Sequence, residues 1–336
     1  MKSVGASIAL ISVALWVSAC TPTHASEVSG PMGQHRMNTD EWPSRDYFSI
    51  DDRLFWIRII DSELRIEQVH TFNAGPRAPV VAIVVPDQAA SVVAVVGHSE
   101  DSFLIVTSAK DRERVINYDV SSREATEVWV GDVPDLVFGA HSLRALGALV
   151  IVGQTSCYQI GPGDTISEFE PLKSVESPWF YSSSAATDDS IALNLNQGLT
   201  VLSPGKPPAD SLVAGNTEYV REIASVGDHW IAILAEYDGS GSSAIRLKTA
   251  ETTVAVEKIP LQPSYQWRVT DYGDVALIWA EGAANMFFVG GDFINTVAVD
   301  PPLGAWGVCD GFQSRTSYAI DREGFRVIPI QMGDRR

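Results

Sequence analysis

Basic residues are scarce in this sequence. Against 42 Asp and Glu stand 24 Lys and Arg, for a formal net charge of -18 and a pI near 4.6. Without a basic patch to neutralise phosphates, the composition argues against nucleic acid as a partner. It argues equally against electrostatic docking on anionic lipid. Cysteine is scarce too: only Cys20, Cys157 and Cys309 occur, too few for a disulfide framework. Cys157 and Cys309 read as buried thiols, with a bridge between them as the alternative. No Gly-x-Ser-x-Gly elbow, Walker loop, His-Glu-x-x-His or Cys-x-x-Cys occurs. No catalytic residue, metal ligand or cofactor is therefore assigned. Almost no segment has the period of an amphipathic helix, and the N-terminus holds the one long apolar run.

That N-terminus reads MKSVGASIALISVALWVSAC. Lys2 gives a short positive region, and Val4 to Val17 is apolar, the length of a signal-peptide core and too short to span a bilayer. Val17-Ser18-Ala19-Cys20 follows. This stretch resembles the lipobox of bacterial lipoproteins: an aliphatic residue, two small ones, then Cys. The resemblance implies cleavage before Cys20 and a palmitate-type lipid anchor on its thiol. It places the protein on the outer membrane facing the periplasm if the source is Gram-negative, or on the outer face of the cell membrane if Gram-positive. An ordinary signal-peptidase site, releasing a soluble secreted protein, is the competing reading. Residues 20–45 are rich in Pro, Gly, Ser and Thr and read as a flexible tether. The division is thus 1–19 signal peptide, 20–45 lipidated tether and 46–336 folded domain.

The folded domain shows an internal repeat. A turn with Asp, Gly or Ser leads into a strongly apolar strand in DDRLFWIRI (from Asp51), EDSFLIVTS (Glu100), LGALVIVGQ (Leu146), DDSIALNLN (Asp188), GDHWIAILA (Gly227) and YGDVALIWA (Tyr272). A weaker copy, SRTSYAID, starts at Ser314. The first apolar residues recur every 39 to 49 positions, about 44 on average, as in a four-stranded propeller blade. Flanking strand-like runs complete four strands per unit, A to D from the axis outward. The fold expected is an all-β propeller of six clear blades and a weaker seventh, its missing strand supplied by an unidentified N-terminal segment. INYDVSSREATEVW, from Ile116, resembles the third-to-fourth-strand hairpin of WD40-like and quinoprotein-like propellers. No repeated Trp-Asp or Gly-His signature assigns a propeller family.

Three features are candidates for chemistry. His98, His141 and His229 sit at matching A-to-B turns, with Asp101 and Asp228 nearby; a metal would need them to converge, whereas local backbone bonding needs nothing further. Asp238, Ser240 and Ser242 alternate in a Gly-Ser loop that lacks the closing Glu of a calcium site. Aromatic and Arg residues collect at the blade junctions: Trp179, Tyr219, Arg221, Trp267, Arg268 and Trp306. These suit a ligand mouth, and they suit packing between blades just as well. The expected function is a membrane-tethered, non-catalytic module for an envelope protein, a small molecule or a glycan. The alternative is an enzyme acting on glycans, peptides or lactones. Replacing Cys20 by Ser is expected to abolish metabolic lipid labelling and membrane retention; a labelled, retained variant would contradict the anchor.

Overall fold

The computed structural model describes residues 47–69, 81–84, 91–109, 112–161, 165–170, 180–195, 198–213, 218–239, 241–250, 253–259, 261–262, 265–299, 302, 307–321 and 324–329. The lipobox, the tether, Trp179 and Trp306 lie outside them. The chain is a β-propeller. Blade 1 holds β1 (Tyr47–Ile50), β2 (Arg53–Ile60), β3 (Glu63–Val69) and β4 (Val81–Val84). Blade 2 holds β5 (Ser91–Ser99), β6 (Ser102–Ala109), β7 (Arg112–Asp119) and β8 (Glu124–Gly131). Blade 3 holds β9 (Val137–Leu143), β10 (Ala148–Gly153), β11 (Cys157–Ile160) and β12 (Ile166–Glu168). Blade 4 holds β13 (Phe180–Ala186), β14 (Ile191–Leu195), β15 (Gly198–Leu202) and β16 (Ala209–Val213). Blade 5 holds β17 (Glu218–Val226), β18 (His229–Glu236), β19 (Ser242–Ala250) and β20 (Thr253–Ile259). Blade 6 holds β21 (Arg268–Asp271), β22 (Val275–Trp279), β23 (Asn285–Gly290) and β24 (Ile294–Ala298). The last repeat contributes β25 (Gly307–Val308), β26 (Asp310–Phe312), β27 (Thr316–Asp321) and β28 (Gly324–Pro329).

Each of the six blades is an antiparallel meander in chain order, and the last repeat gives a three-stranded sheet β25-β27-β28. The apolar copies read from the sequence are the second strands. β10, β14 and β22 are buried at every residue, and β6 and β18 at nearly every one. Both faces of such a strand are covered by neighbouring blades, so the polar half of a normal strand alternation disappears. The alternation survives as a choice of neighbour. Phe103 and Ile105 pack back onto Ile57, Leu64 and Ile66 of blade 1, while Leu104 and Val106 pack forward onto Val137, Leu149 and Ile151 of blade 3. In blade 5, Trp230 and Ala232 face blade 4, and Ile231 and Ile233 face Ala276 and Ile278 of blade 6. Each fully buried side chain of this size contributes roughly 1.5–3 kcal/mol.

Turn chemistry explains the residues before these strands. Asp51 and Asp52 both have positive φ, 47° and 58°, as a two-residue hairpin turn that follows the strand twist demands. Gly227 and Gly273, at 57° and 88°, meet the same need at the first position of their turns. Blade 3 departs from the pattern: a 3₁₀ turn, Arg144–Leu146, joins β9 to β10.

The N-terminal segment expected to supply a strand to the last repeat lies outside the described residues. Among the described residues the ring closes through the last repeat, which splits at Cys309. β26 leaves its own sheet and pairs in parallel with β1, Phe48 opposite Asp310 and Ile50 opposite Phe312. The Asp52 carboxylate accepts from Arg315 N at 2.7 Å and Ser314 Oγ at 3.2 Å, and Tyr318 Oη donates to Asp52 O at 2.9 Å. Tyr47, Leu54, Val69, Cys309 and Tyr318 fill the seam. Cys157 and Cys309 are buried free thiols, and burial raises the pKa of both.

Two histidine contacts tie neighbouring first strands one repeat apart. His98 Nδ1 lies 3.5 Å from Ser142 Oγ, and His141 Nε2 lies 2.7 Å from Ser184 Oγ. Burial lowers the His141 pKa to about 4. An unfolded imidazole titrates near ~6.5, so the folded state favours the neutral ring, and this contribution is lost as pH falls from there toward about 4. The wild type's stability advantage over His141→Gln should therefore shrink by up to about 3 kcal/mol across that window. Urea melts of both proteins at the two ends of the window test this, and a constant difference contradicts it. Packing gives a second expectation. A Cβ at Gly97 would lie 2.1 Å from Phe312 Cγ, so Gly97→Ala should cost about 1–3 kcal/mol. In a Phe312→Ala background the cost should largely vanish; an equal loss in both backgrounds would refute the contact.

Candidate functional site

A first strand hydrogen-bonds to its own blade on one side only. Its other edge faces the axis, where backbone N–H groups still need acceptors. β5, β9, β13, β17 and β21 are such end strands, whereas β1 is covered by β26. Side chains of neighbouring blades fill the need. Ile223 N donates to Ser183 Oγ at 2.8 Å. Val269 N donates to Glu222 Oε2 at 2.9 Å, and Ser225 N to Asp271 Oδ2 at the same distance. Asp271 also accepts from Ser225 Oγ at 2.7 Å and Gly273 N at 2.6 Å. Two carboxylates are thus drawn to the axis by backbone amides. Burial raises the pKa of both, and the hydrogen bonds and nearby arginines oppose that rise.

The first strands enclose an axial cavity of about 590 Å³. Its wall carries seven carboxylates, of Asp188, Asp189, Glu222, Asp228, Asp271, Asp274 and Asp310, and a single guanidinium, that of Arg144. Among the described lining residues there is no lysine. A concave, partly dry wall of one sign focuses a negative potential and concentrates cations. Most of this charge lies toward the end formed by the A-to-B hairpins, the hairpin face.

At that end Phe312 sits close to Gly97 of blade 2 and to Gly273 of blade 6. The guanidinium carbon of Arg144, from blade 3, lies 4.6 Å from the Phe312 ring centroid. Arg144 Nε donates to Asp188 Oδ1 of blade 4 at 2.8 Å, and Ala145 N to Asp188 O at 3.0 Å. The Arg144 and Asp188 side chains are 35% and 58% exposed. An ion pair so open contributes at most about 1 kcal/mol, so Arg144 is held loosely while Phe312 is 9% exposed and fixed.

The opposite end, the connection face, carries the blade junctions. The residues proposed from sequence do not form one mouth there. Trp267 is 2% exposed. Its ring packs edge-on against Phe287 and Tyr265, and its Nε1 donates to Gln262 O at 2.8 Å. Packing, not ligand contact, accounts for it. Arg268 pairs with Glu222, Nη1 to Oε1 at 2.8 Å, behind the cavity wall. Arg221 Nη2 donates to Gln266 Oε1 at 3.4 Å. The Tyr219 ring packs tilted against Tyr237, centroids 5.2 Å apart, and Tyr237 is 54% exposed. None of these four lines the cavity. Sequence reasoning passed over Leu136, 61% exposed, just before β9, and Phe138, 42% exposed, at its start; Phe138 does line the cavity.

The histidines do not converge. His98 and His141 each contact a different serine, and His229 Nδ1 lies 2.6 Å from Asp228 Oδ1. Among the described residues no three His, Cys, Asp or Glu side chains gather to hold a metal. Ser184 and His141 are a hydroxyl–imidazole pair on the cavity wall. Burial alone shifts this imidazole, and among the described residues no carboxylate is seen to orient it as a nucleophile's base requires.

Solved propellers share the architecture. A catalytically inactive virginiamycin B lyase from Staphylococcus aureus, crystallised with quinupristin, aligns with TM-score 0.57 and 14% identity over 88% of this chain and 98% of its own. YCF48 bound to D1 peptide aligns with TM-score 0.55 and 11% identity over 92% and 98%. The WD40 domain of Toxoplasma gondii coronin aligns with TM-score 0.55 and 9% identity over 90% and 85%. No protein-family model matches the sequence, and no curated protein matches it. At such identities the likeness is one of fold alone: this chain is a β-propeller, with an acidic channel along its axis.

Proposed function

We propose that this protein is a cell-envelope lipoprotein, anchored by lipid on Cys20, whose propeller is a non-catalytic module for binding a protein or small ligand. The lipobox-like sequence supports the anchor and the location on the exported side of a membrane. The observation that carries the binding reading is Phe138: it is 42% exposed on the connection face and also lines the axial cavity. Leu136 beside it and the Tyr219–Tyr237 pair add exposed apolar and aromatic surface to the same face. Aromatic side chains such as these are the kind that interfaces use as anchors. A propeller of this fold is solved with a peptide bound. The polar groups at the axis act as ties between blades, as Glu222 and Asp271 do for backbone amides. The enzyme alternative has one observation in its favour, the Ser184–His141 contact.

Crosslinking and capture from membranes of the native organism test the reading. A Phe138→Ser, Tyr237→Ala variant is expected to lose at least about 80% of the captured partner with an unchanged melting temperature. Val128→Ser, on the outer strand β8 and 41% exposed in the wild type, should capture normally. Equal capture by both variants would overturn the assignment of the connection face.

A further inference from the structure

The hairpin end of the channel already holds a cation. Carboxylates alone would not define a site there, but a seated guanidinium does. Arg144 lies over the Phe312 ring, 4.6 Å from its centroid, while its edge donates to Asp188. The two halves of this seat come from β26 of the last repeat and from blade 4, and the arginine from blade 3. The ring is built in from two sides. No side chain fits at Gly97 without displacing Phe312, and a Cβ at Gly273 would rest 3.7 Å from the same ring. The aromatic half of the seat is therefore fixed by packing, and its occupant is an exposed side chain on a single turn of 3₁₀ helix.

We propose that this seat recognises the guanidinium of an arginine on a basic peptide segment of a partner, and that Arg144 is its internal occupant and competitor. The proposal rests on the binding-module reading and names the ligand chemistry at the other end of the same channel. Guanidinium is favoured over ammonium for a geometric reason. A planar cation stacks on an aromatic face and hydrogen-bonds edge-on to a carboxylate at once, whereas an ammonium is a strongly hydrated point charge. Asp189, Asp228 and Asp274, on the adjacent turns of the cavity wall, supply long-range attraction for the residues flanking the arginine. The incoming arginine displaces Arg144 from Phe312 and Asp188 and leaves it to solvent.

Fluorescence anisotropy of the full chain in detergent, at about 50 mM salt, with labelled hexa-arginine and hexa-lysine peptides tests this. Hexa-arginine is expected to bind at least about fivefold tighter than hexa-lysine. Arg144→Ala should tighten hexa-arginine binding roughly tenfold by removing the competitor. Phe312→Leu should erase the preference for arginine, and Asp188→Asn should weaken binding. Equal binding of the two peptides, or no gain in a folded Arg144→Ala, overturns the proposal. If Arg144→Ala fails to fold, the wild-type preference and its loss in Phe312→Leu decide alone. The two readings fail separately. Partner capture with no arginine preference sinks this proposal only; arginine preference with capture insensitive to the connection face sinks the other only.

Discussion

Everything at the axis depends on the unpaired edge of the first strand. A propeller blade can satisfy the amides of its second and third strands internally, but the first strand turns one edge to the channel. In this protein the neighbours supply the acceptors: Ser183 for Ile223, Glu222 for Val269, Asp271 for Ser225 and Gly273. For Ile223, Val269 and Ser225 the acceptor comes from an adjacent blade, so satisfying the amide also fixes the angle between blades. At β1 the solution is a strand instead, β26. The cost is buried charge, seen in the raised pKa of Glu222 and Asp271. The return is a channel wall that is acidic before any functional demand is placed on it.

The rim of the channel gains its charge by a second, separate route. Hairpins that follow the right-handed twist need positive φ, which few residues tolerate. Gly and Asp do, and both recur in these turns, at Asp51-Asp52, Gly227-Asp228 and Gly273-Asp274. In the last two of these turns the glycine takes the positive φ, and the aspartate that follows it, Asp228 or Asp274, stands on the cavity wall. Blade 3 alone replaces the tight turn with a 3₁₀ turn and puts Arg144 there. The exception to the turn rule is also the sole guanidinium on the cavity wall.

What was readable in the sequence follows from these causes. The second strands were legible because burial on both faces leaves long apolar runs, and their turns because positive φ restricts composition. The hairpin at Ile116 was legible as well: β7 and β8 are the third and fourth strands of blade 2. The site was not. Trp267 and Phe138 both sit at blade junctions, yet one lies in the core and the other on the surface, and composition does not separate them. The Asp residues of the repeated turns were visible as turn formers, but their shared rim emerges only when the blades close. Arg144 and Phe312 meet from opposite sides of a ring, and no period in the chain links them.

Closure through β26 has a bearing on how the molecule is made. The contacts between Asp52 and Ser314, Arg315 and Tyr318 span more than 260 residues of chain. Contacts of such separation form slowly, because the intervening loop must be ordered first. Until the last repeat arrives, blade 1 has an uncovered face and β1 an uncovered edge, both of the kind that invites association between chains. For a chain synthesised from its N-terminus, the vulnerable interval ends only when the last repeat has been made. The seam between first and last repeats is therefore where protection of the incomplete chain matters most.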